Sequence, residues 1–368
     1  MRNEGGFAAR QGVVKLHAKV AEKNDGEAYR YGLRRAGFQW RAVLGFSVML
    51  RVMSGSSHHS ARGFRNPHTR DGHGGAALTR FLWEWAGAKP SGAPPPVERP
   101  DLSFLRGNRS IPTATWLGHA SFLLQLDGLN ILTDPHLSPR ASPFTFAGPE
   151  RLIPLPIDHA NLPPIDVVLL SHDHYDHLDA PTLRWLADAH DPAVIAPLGH
   201  ADLLAELGCR RVTELDWWTR HRRGGLSVTA VPVQHFSGRG LRDRNRRLWC
   251  GFVFEADGRK VFFAGDTGYS PDFAEIGRRF APIDLALIPI GAYAPRDFMR
   301  SVHVDPAEAV QIHQDIGSQR SLAMHWGTFR LTLEPLDEPP LKLAAALDAV
   351  GLTADSFHVP RPGETVYW

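Results

Sequence analysis

The segment Ser171-His172-Asp173-His174-Tyr175-Asp176-His177-Leu178-Asp179 places four ligand-type side chains, His172, His174, Asp176 and His177, within six residues. Imidazole nitrogen and carboxylate oxygen are the donor set of zinc and, less selectively, of manganese and iron. One histidine in a polar loop would be unremarkable. Three with an aspartate are not, because the loop follows the apolar, β-branched run 165–170, which reads as a buried strand. A loop at the carboxyl end of such a strand can turn all four groups into one crevice. Further ligand types stand at matching places: His235 after the apolar run 228–232, Asp266 after 261–264, and His325 after 322–324. Taken singly, the two histidines are ordinary strand-end residues, and Asp266, between Gly265 and Gly268, is a turn former. Their common position lets them meet the 172–177 loop on one sheet edge.

The elements that would hold these groups alternate between strand and helix patterns, which favours an α/β layered fold. Strands are expected over 115–126 and 129–133, joined by an Asp127-Gly128 hairpin turn. Others are expected over 194–196, 226–232, 248–255, 260–264, 285–289 and 322–324. Helices fit 76–88, 181–189 (with Asp179 placed to cap it), 271–280, 306–316 and 340–350. Residues 1–60 are basic and weakly periodic, a disordered or loosely helical N-terminal extension. Residues 61–112 read as an arm and linker with one short helix, rich in proline from Pro90 to Pro100. The globular pattern occupies 113–368.

Bulk composition narrows the function classes. A formal net charge of +2 over 368 residues argues against a nucleic-acid binder driven by overall charge. Two cysteines, Cys209 and Cys250, are too few for a disulfide scaffold and suit a reducing, cytoplasmic setting. No apolar run of about twenty residues marks a spanning helix. The nearest, 40–53, is short and contains Arg41 and Arg51. Ser54-Gly55-Ser56-Ser57 imitates a signal-peptide cleavage site, yet an upstream extension explains the segment as well.

The pattern H-x-H-x-D-H, then a lone histidine, Asp266 in Gly-Asp-Thr-Gly and a final histidine, resembles the metallo-β-lactamase superfamily. Within it the chain is most similar to the N-acylphosphatidylethanolamine-hydrolysing phospholipase D family and its bacterial relatives. The likeness runs from about Phe64 to the C-terminus. Thr115-Trp116-Leu117-Gly118-His119-Ala120, Leu132-Thr133-Asp134-Pro135, Glu214-Leu215-Asp216-Trp217-Trp218, His303-Val304-Asp305-Pro306 and His325-Trp326-Gly327-Thr328-Phe329 carry it. The resemblance implies a four-layer αβ/βα sandwich with two divalent metals, zinc first, at one edge. It implies His172, His174 and His235 on one metal, Asp176, His177 and His325 on the other, and Asp266 bridging both. Flavodiiron members usually have glutamate in place of His174, and some lactamases have cysteine in place of Asp266. Both departures point away from those branches.

The expected chemistry is hydrolysis by a hydroxide shared between the metals, attacking phosphorus or a carbonyl carbon. The favoured substrate is a phospholipid of the N-acylphosphatidylethanolamine type. A lactone, thioester, β-lactam or other phosphate ester is the alternative. Asp266 and His303 are the expected catalytic groups, His303 as a phosphate-stabilising or proton-donating residue. Arg239, Tyr175 and Tyr293 are candidates for substrate contact, with Arg242 beside them. Asp173 and Asp179 are expected to orient the ligand loops, and His119 to sit behind them as a buried structural histidine. Peripheral membrane contact through 40–53 or 81–85 and a homodimer are compatible with the chain; a nucleic-acid partner is not expected.

Overall fold

Apolar runs separated by Asp-Gly and other glycine-containing turns pair into two mixed sheets of seven strands each. The computed structural model describes residues 58–68, 75–240 and 242–368. The expectations for 1–57, including the apolar stretch 40–53, lie outside the described residues. A short hairpin, β1 (His59–Ser60) with β2 (Gly63–Phe64), forms where the sequence offered only loop.

In the first sheet, β3 (Thr113–Gly118), β4 (Ser121–Leu126) and β5 (Leu129–Thr133) form an antiparallel meander. Next, β6 (Val167–Leu169), β7 (Ala193–Pro197) and β8 (Arg211–Leu215) add in parallel. The second sheet repeats the scheme. Antiparallel β9 (Arg220–Arg223), β10 (Leu226–Val231), β11 (Gly251–Ala256) and β12 (Arg259–Phe263) come first. Parallel β13 (Leu285–Pro289), β14 (Ser321–Met324) and β15 (Phe357–His358) follow. The final β16 (Thr365–Tyr367) returns to pair with β3.

Parallel neighbours need crossovers, and helices supply them. After α1 (Gly75–Gly87) and α2 (Leu102–Gly107), α3 (Ala180–Ala189) and α4 (Ala201–Glu206) serve the first sheet. On the second, α5 (Asp272–Phe280), α6 (Arg296–Met299), α7 (Pro306–Asp315) and α8 (Glu338–Ala349) follow in turn. Leu183, Leu186 and Leu204 of the first helix set pack with Leu123, Leu132, Val168 and Val194 in one apolar layer. A larger core joins Trp116 and Phe122 of one sheet to Phe252, Phe254 and Phe262 of the other, and takes in Phe273, Ile312 and Leu343 from the second helix set. Helix, sheet, sheet and helix therefore stack as the expected αβ/βα sandwich. No helix among the described residues is long and apolar enough to cross a membrane.

Several expectations need correction. The single strand read over 115–126 is two strands, β3 and β4. Gly118 and His119 turn the chain with φ of 104° and 53°. Both strands are buried on both faces, so no polar alternation betrays the turn. The edge strands β8 and β9 were not expected, because their arginines make them read as loop; charge on an edge strand blocks further pairing. Asp305 caps α7 by accepting from Glu308 N–H at 2.9 Å. Asp179 precedes α3 but makes no such bond. Its carboxylate takes the Ser138 backbone N–H at 3.1 Å and hydroxyl at 2.9 Å instead, binding the loop after β5.

Candidate metal centre

Each candidate ligand leaves the same end of a strand. The 171–179 loop follows β6, His235 follows β10, Asp266 follows β12 and His325 follows β14. The loop after β6 and the one after β12 meet at Ser171 and Gly265. Gly265 has φ of 60°, and a Cβ there would lie 2.6 Å from the Ser171 Cβ, so glycine is required. All seven expected ligands come together in one group.

His172 Nε2 and His174 Nδ1 are 2.9 Å apart, and His235 Nε2 lies 3.2 Å from the same His174 nitrogen. His177, His325 and Asp176 form a second set. Asp176 Oδ2 is 3.4 Å from His177 Nε2 and 3.6 Å from His325 Nε2. Asp266 stands between the sets. Its Oδ1 is 2.9 Å from His325 Nε2, and its Oδ2 is 3.2 Å from His177 Nε2 and 3.7 Å from His235 Nε2. Both sets have the donor types and proximity to hold a metal ion.

Hydrogen bonds on the outer ring nitrogens show which way the lone pairs face. Ser171 Oγ donates to Asp134 Oδ2 at 2.5 Å, so it is free to accept from His172 Nδ1–H at 2.9 Å. His177 Nδ1–H donates to Asp134 Oδ2 at 2.6 Å, and His235 Nδ1–H donates to Val302 O at 2.9 Å. In neutral imidazole one nitrogen bears the proton and the other a lone pair. The inner Nε2 atoms of His172, His177 and His235 are then acceptors, facing two carboxylates across a buried space. Asp266 Oδ1 has His325 Nε2 as its near neighbour, at 2.9 Å. Acceptors crowded against acceptors without water are costly unless a cation lies among them. The residues fit divalent metals for that reason, and outer partners of this kind are what fix metal-ligating imidazoles.

The site's electrostatics agree. Burial, with the crowding of His177, His174 and His235, holds His172 well below the ordinary histidine range. Burial would raise the Asp266 carboxyl, but His177 and His325 outweigh it and hold it well below the ordinary range. Burial pushes His325 down while Asp266 and Asp176 pull it up, for a net rise to about 9. The carboxylates thus demand positive charge, and protons compete with metal for the same nitrogens.

Two residues matter more than the sequence suggested. Asp134, at the end of β5, also accepts from Ser171 N–H at 2.7 Å and so fixes the ligand loop at three points. Its signal was present: it too is a polar residue just past an apolar strand. His119 is buried, as expected, yet its Nε2 lies 2.9 Å from Asp176 Oδ2. Burial and His325 keep it well below the ordinary histidine range, so it is a neutral donor to that carboxylate. Asp173 behaves as expected of a loop brace, accepting from Gly238 N–H at 2.7 Å and Arg247 Nη1 at 2.9 Å.

His303 sits at the mouth of the centre, its side chain 13% exposed and its Nδ1 3.9 Å from Asp266 Oδ2. Its backbone is fixed at both ends, N–H to Met299 O and carbonyl to Arg296 Nη1 at 2.6 Å. Arg239 lies over Tyr175 at 3.9 Å and donates through Nη1 to Asp173 O and Leu178 O. Both line a groove of about 380 Å³ together with Arg140, Arg184 and Phe144. Tyr293 is outside that groove. It is buried, with its hydroxyl donating to Glu338 Oε1 at 2.5 Å. Arg242 is exposed and lines a separate shallow surface with Arg246.

Two facing mixed sheets with histidine–aspartate clusters at their shared edge define a metal-dependent hydrolase of the metallo-β-lactamase fold. The chain belongs to the metallo-β-lactamase superfamily: the β-lactamase superfamily domain family matches residues 129–326. It is 40% identical over 297 residues to an uncharacterised protein of Mycobacterium tuberculosis H37Rv, covering 78% of each chain. It is 41% identical over 249 residues to N-acyl-phosphatidylethanolamine-hydrolyzing phospholipase D 1 of Caenorhabditis elegans, covering 64% of this chain and 70% of the relative. Among solved structures, Igni18, a metallo hydrolase of Ignicoccus hospitalis, shares the fold with a TM-score of 0.55 at 22% identity, over 70% of this chain and 99% of that one.

Two outcomes follow. Asp134→Asn turns an amide N–H or a weaker acceptor toward His177 Nδ1 and frees the ring to carry its proton on the inner nitrogen. Zinc affinity, measured by chelator competition, should fall about 10–100-fold; unchanged affinity would refute this role. The second concerns pH. A folded-state pKa raised from 6.5 to about 9 stabilises cation-free protein fully below 6.5, and that stabilisation is lost as pH rises through 9. Chelator-treated protein should therefore lose thermal stability across that window, while zinc-loaded protein pulls increasingly above it. Parallel melting curves would contradict the assignment.

Proposed function

We propose that the chain is a phosphodiesterase of phospholipase D type, acting on N-acylphosphatidylethanolamine-like phospholipids. The observation that carries this reading is the buried pair of histidine–carboxylate sets joined by Asp266, opening past His303 near an arginine-lined groove. The likeness to the Caenorhabditis elegans phospholipase D supports the substrate class.

In this reading His172, His174 and His235 would hold one ion, Asp176, His177 and His325 would hold the other, and Asp266 would be shared. Two divalent ions, zinc first, would supply an activated water and neutralise charge on the phosphate oxygens. The water oxygen bonds to phosphorus as the bond from phosphorus to the ethanolamine oxygen breaks. The products are a phosphatidate and an N-acylethanolamine, whose oxygen takes up a proton. Burial, opposed by Asp266, brings His303 down to about 4, so at neutral pH its ring is uncharged and carries one N–H. That N–H donates to a phosphate oxygen or to the departing oxygen. Arg239, held flat over Tyr175, leaves the rest of its guanidinium to face an anionic headgroup with Arg140 and Arg184. Exposed Trp83 (81%) on α1 and Phe146 (80%) on the loop after β5 give apolar contact points for a bilayer surface in a cytoplasmic, peripheral enzyme.

One panel tests the substrate: vesicles of N-acylated phosphatidylethanolamine beside a lactone, a thioester, a β-lactam and bis-p-nitrophenyl phosphate. Release of N-acylethanolamine well above turnover of the others is expected. Preference for the lactone, thioester or β-lactam would overturn the reading. In the same assay His303→Ala should lower kcat by about 10²–10³-fold with metal content unchanged. An undiminished kcat would remove His303 from the reaction.

A further inference from the structure

A second set of metal-type ligands lies outside the centre, where the β1–β2 hairpin meets the sandwich. His58 and His59 turn toward Asp216, which sits between β8 and β9. His58 Nε2 is 2.7 Å from Asp216 Oδ1, and His59 Nε2 is 2.9 Å from Oδ2. One ligand atom from each lies within 4.8 Å of the other two.

Consecutive residues of an extended chain send their side chains to opposite faces. Here both imidazoles close on one carboxylate, with ring centroids only 4.6 Å apart. The neighbours hold them there. His58 stacks on Trp217 at 4.1 Å, and His59 meets Phe64 edge-on at 5.1 Å. The Trp217 backbone N–H donates to Asp216 Oδ1 at 2.8 Å, orienting the carboxylate from its own chain.

We propose that His58, His59 and Asp216 bind a zinc ion separate from the candidate centre, clipping the N-terminal hairpin to the β8–β9 turn. Two imidazole nitrogens and a carboxylate oxygen are a common three-ligand set, with water completing a tetrahedron. Zinc bonds of about 2.0–2.2 Å separate ligand atoms by about 3.3 Å, so the carboxylate need withdraw only about half an ångström. The Asp216 side chain, 27% exposed, has room to do so and leaves a side open for the water. The clip bears on the main site. Just beyond β2, Asn66 Nδ2 donates to the His235 backbone carbonyl at 2.7 Å, so anchoring the hairpin steadies a ligand of the centre.

The test is zinc per chain in the full-length protein, loaded with zinc and dialysed against zinc-free buffer. Asp216→Asn and His59→Ala should each hold one zinc fewer than the parent. Because the comparison is with the parent, the outcome does not depend on how many ions the main centre holds. Equal zinc in parent and variants would overturn the proposal and leave the histidines as hydrogen-bond donors to Asp216. If Asp216→Asn does not fold, His59→Ala, altering a partly exposed side chain, decides alone.

Discussion

Buried acceptors facing buried acceptors are the constraint on which the rest of this structure depends. Asp134, the Ser171 hydroxyl and the Val302 carbonyl take the outer N–H groups of His177, His172 and His235 and leave their inner lone pairs converging on Asp176 and Asp266. Such an arrangement is stable only with positive charge in the middle. In the absence of metal, protons on His177 and His325 serve, since the neighbouring carboxylates raise both against the effect of burial. A divalent ion does the same with two charges and no N–H in the way.

The sandwich provides the rigidity this requires. Strand ends hold the ligands, and the two sheets are locked by a shared aromatic core. Loops too long to be self-supporting are tied back by side chains: Asp179 to Ser138, Asp173 to Gly238 and Arg247, and Arg239 to the carbonyls of Asp173 and Leu178. These ties hold the loops around the candidate centre, beside the groove that Tyr175 lines.

Much of this could be read in the sequence, for a physical reason. His172, His174, Asp176 and His177 are close in the chain and follow a strand whose apolar run is unmistakable, and the same strand-end rule located His235, Asp266 and His325. What was hard to read lacked a local signal. Asp134 stands out only as part of a stretch carrying the family resemblance, because a single aspartate before proline has no cluster of ligand-type residues to mark it. The β3–β4 turn was hidden because both strands are buried on both faces. Strands β8 and β9 carry arginine on a sheet edge, where charge serves to prevent pairing and masks strand character. His58, His59 and Asp216 are brought together only by tertiary folding, so no spacing rule could join them.

On this reading two metals would sit between the loops after β6, β10, β12 and β14, with Asp266 shared. Anomalous diffraction at the zinc edge from crystals grown with zinc tests it most directly. Two peaks within the centre, about 3.5–4 Å apart and both within bonding distance of Asp266, are the predicted result. No density between His174 and His325, whatever is bound at Asp216, would contradict the account.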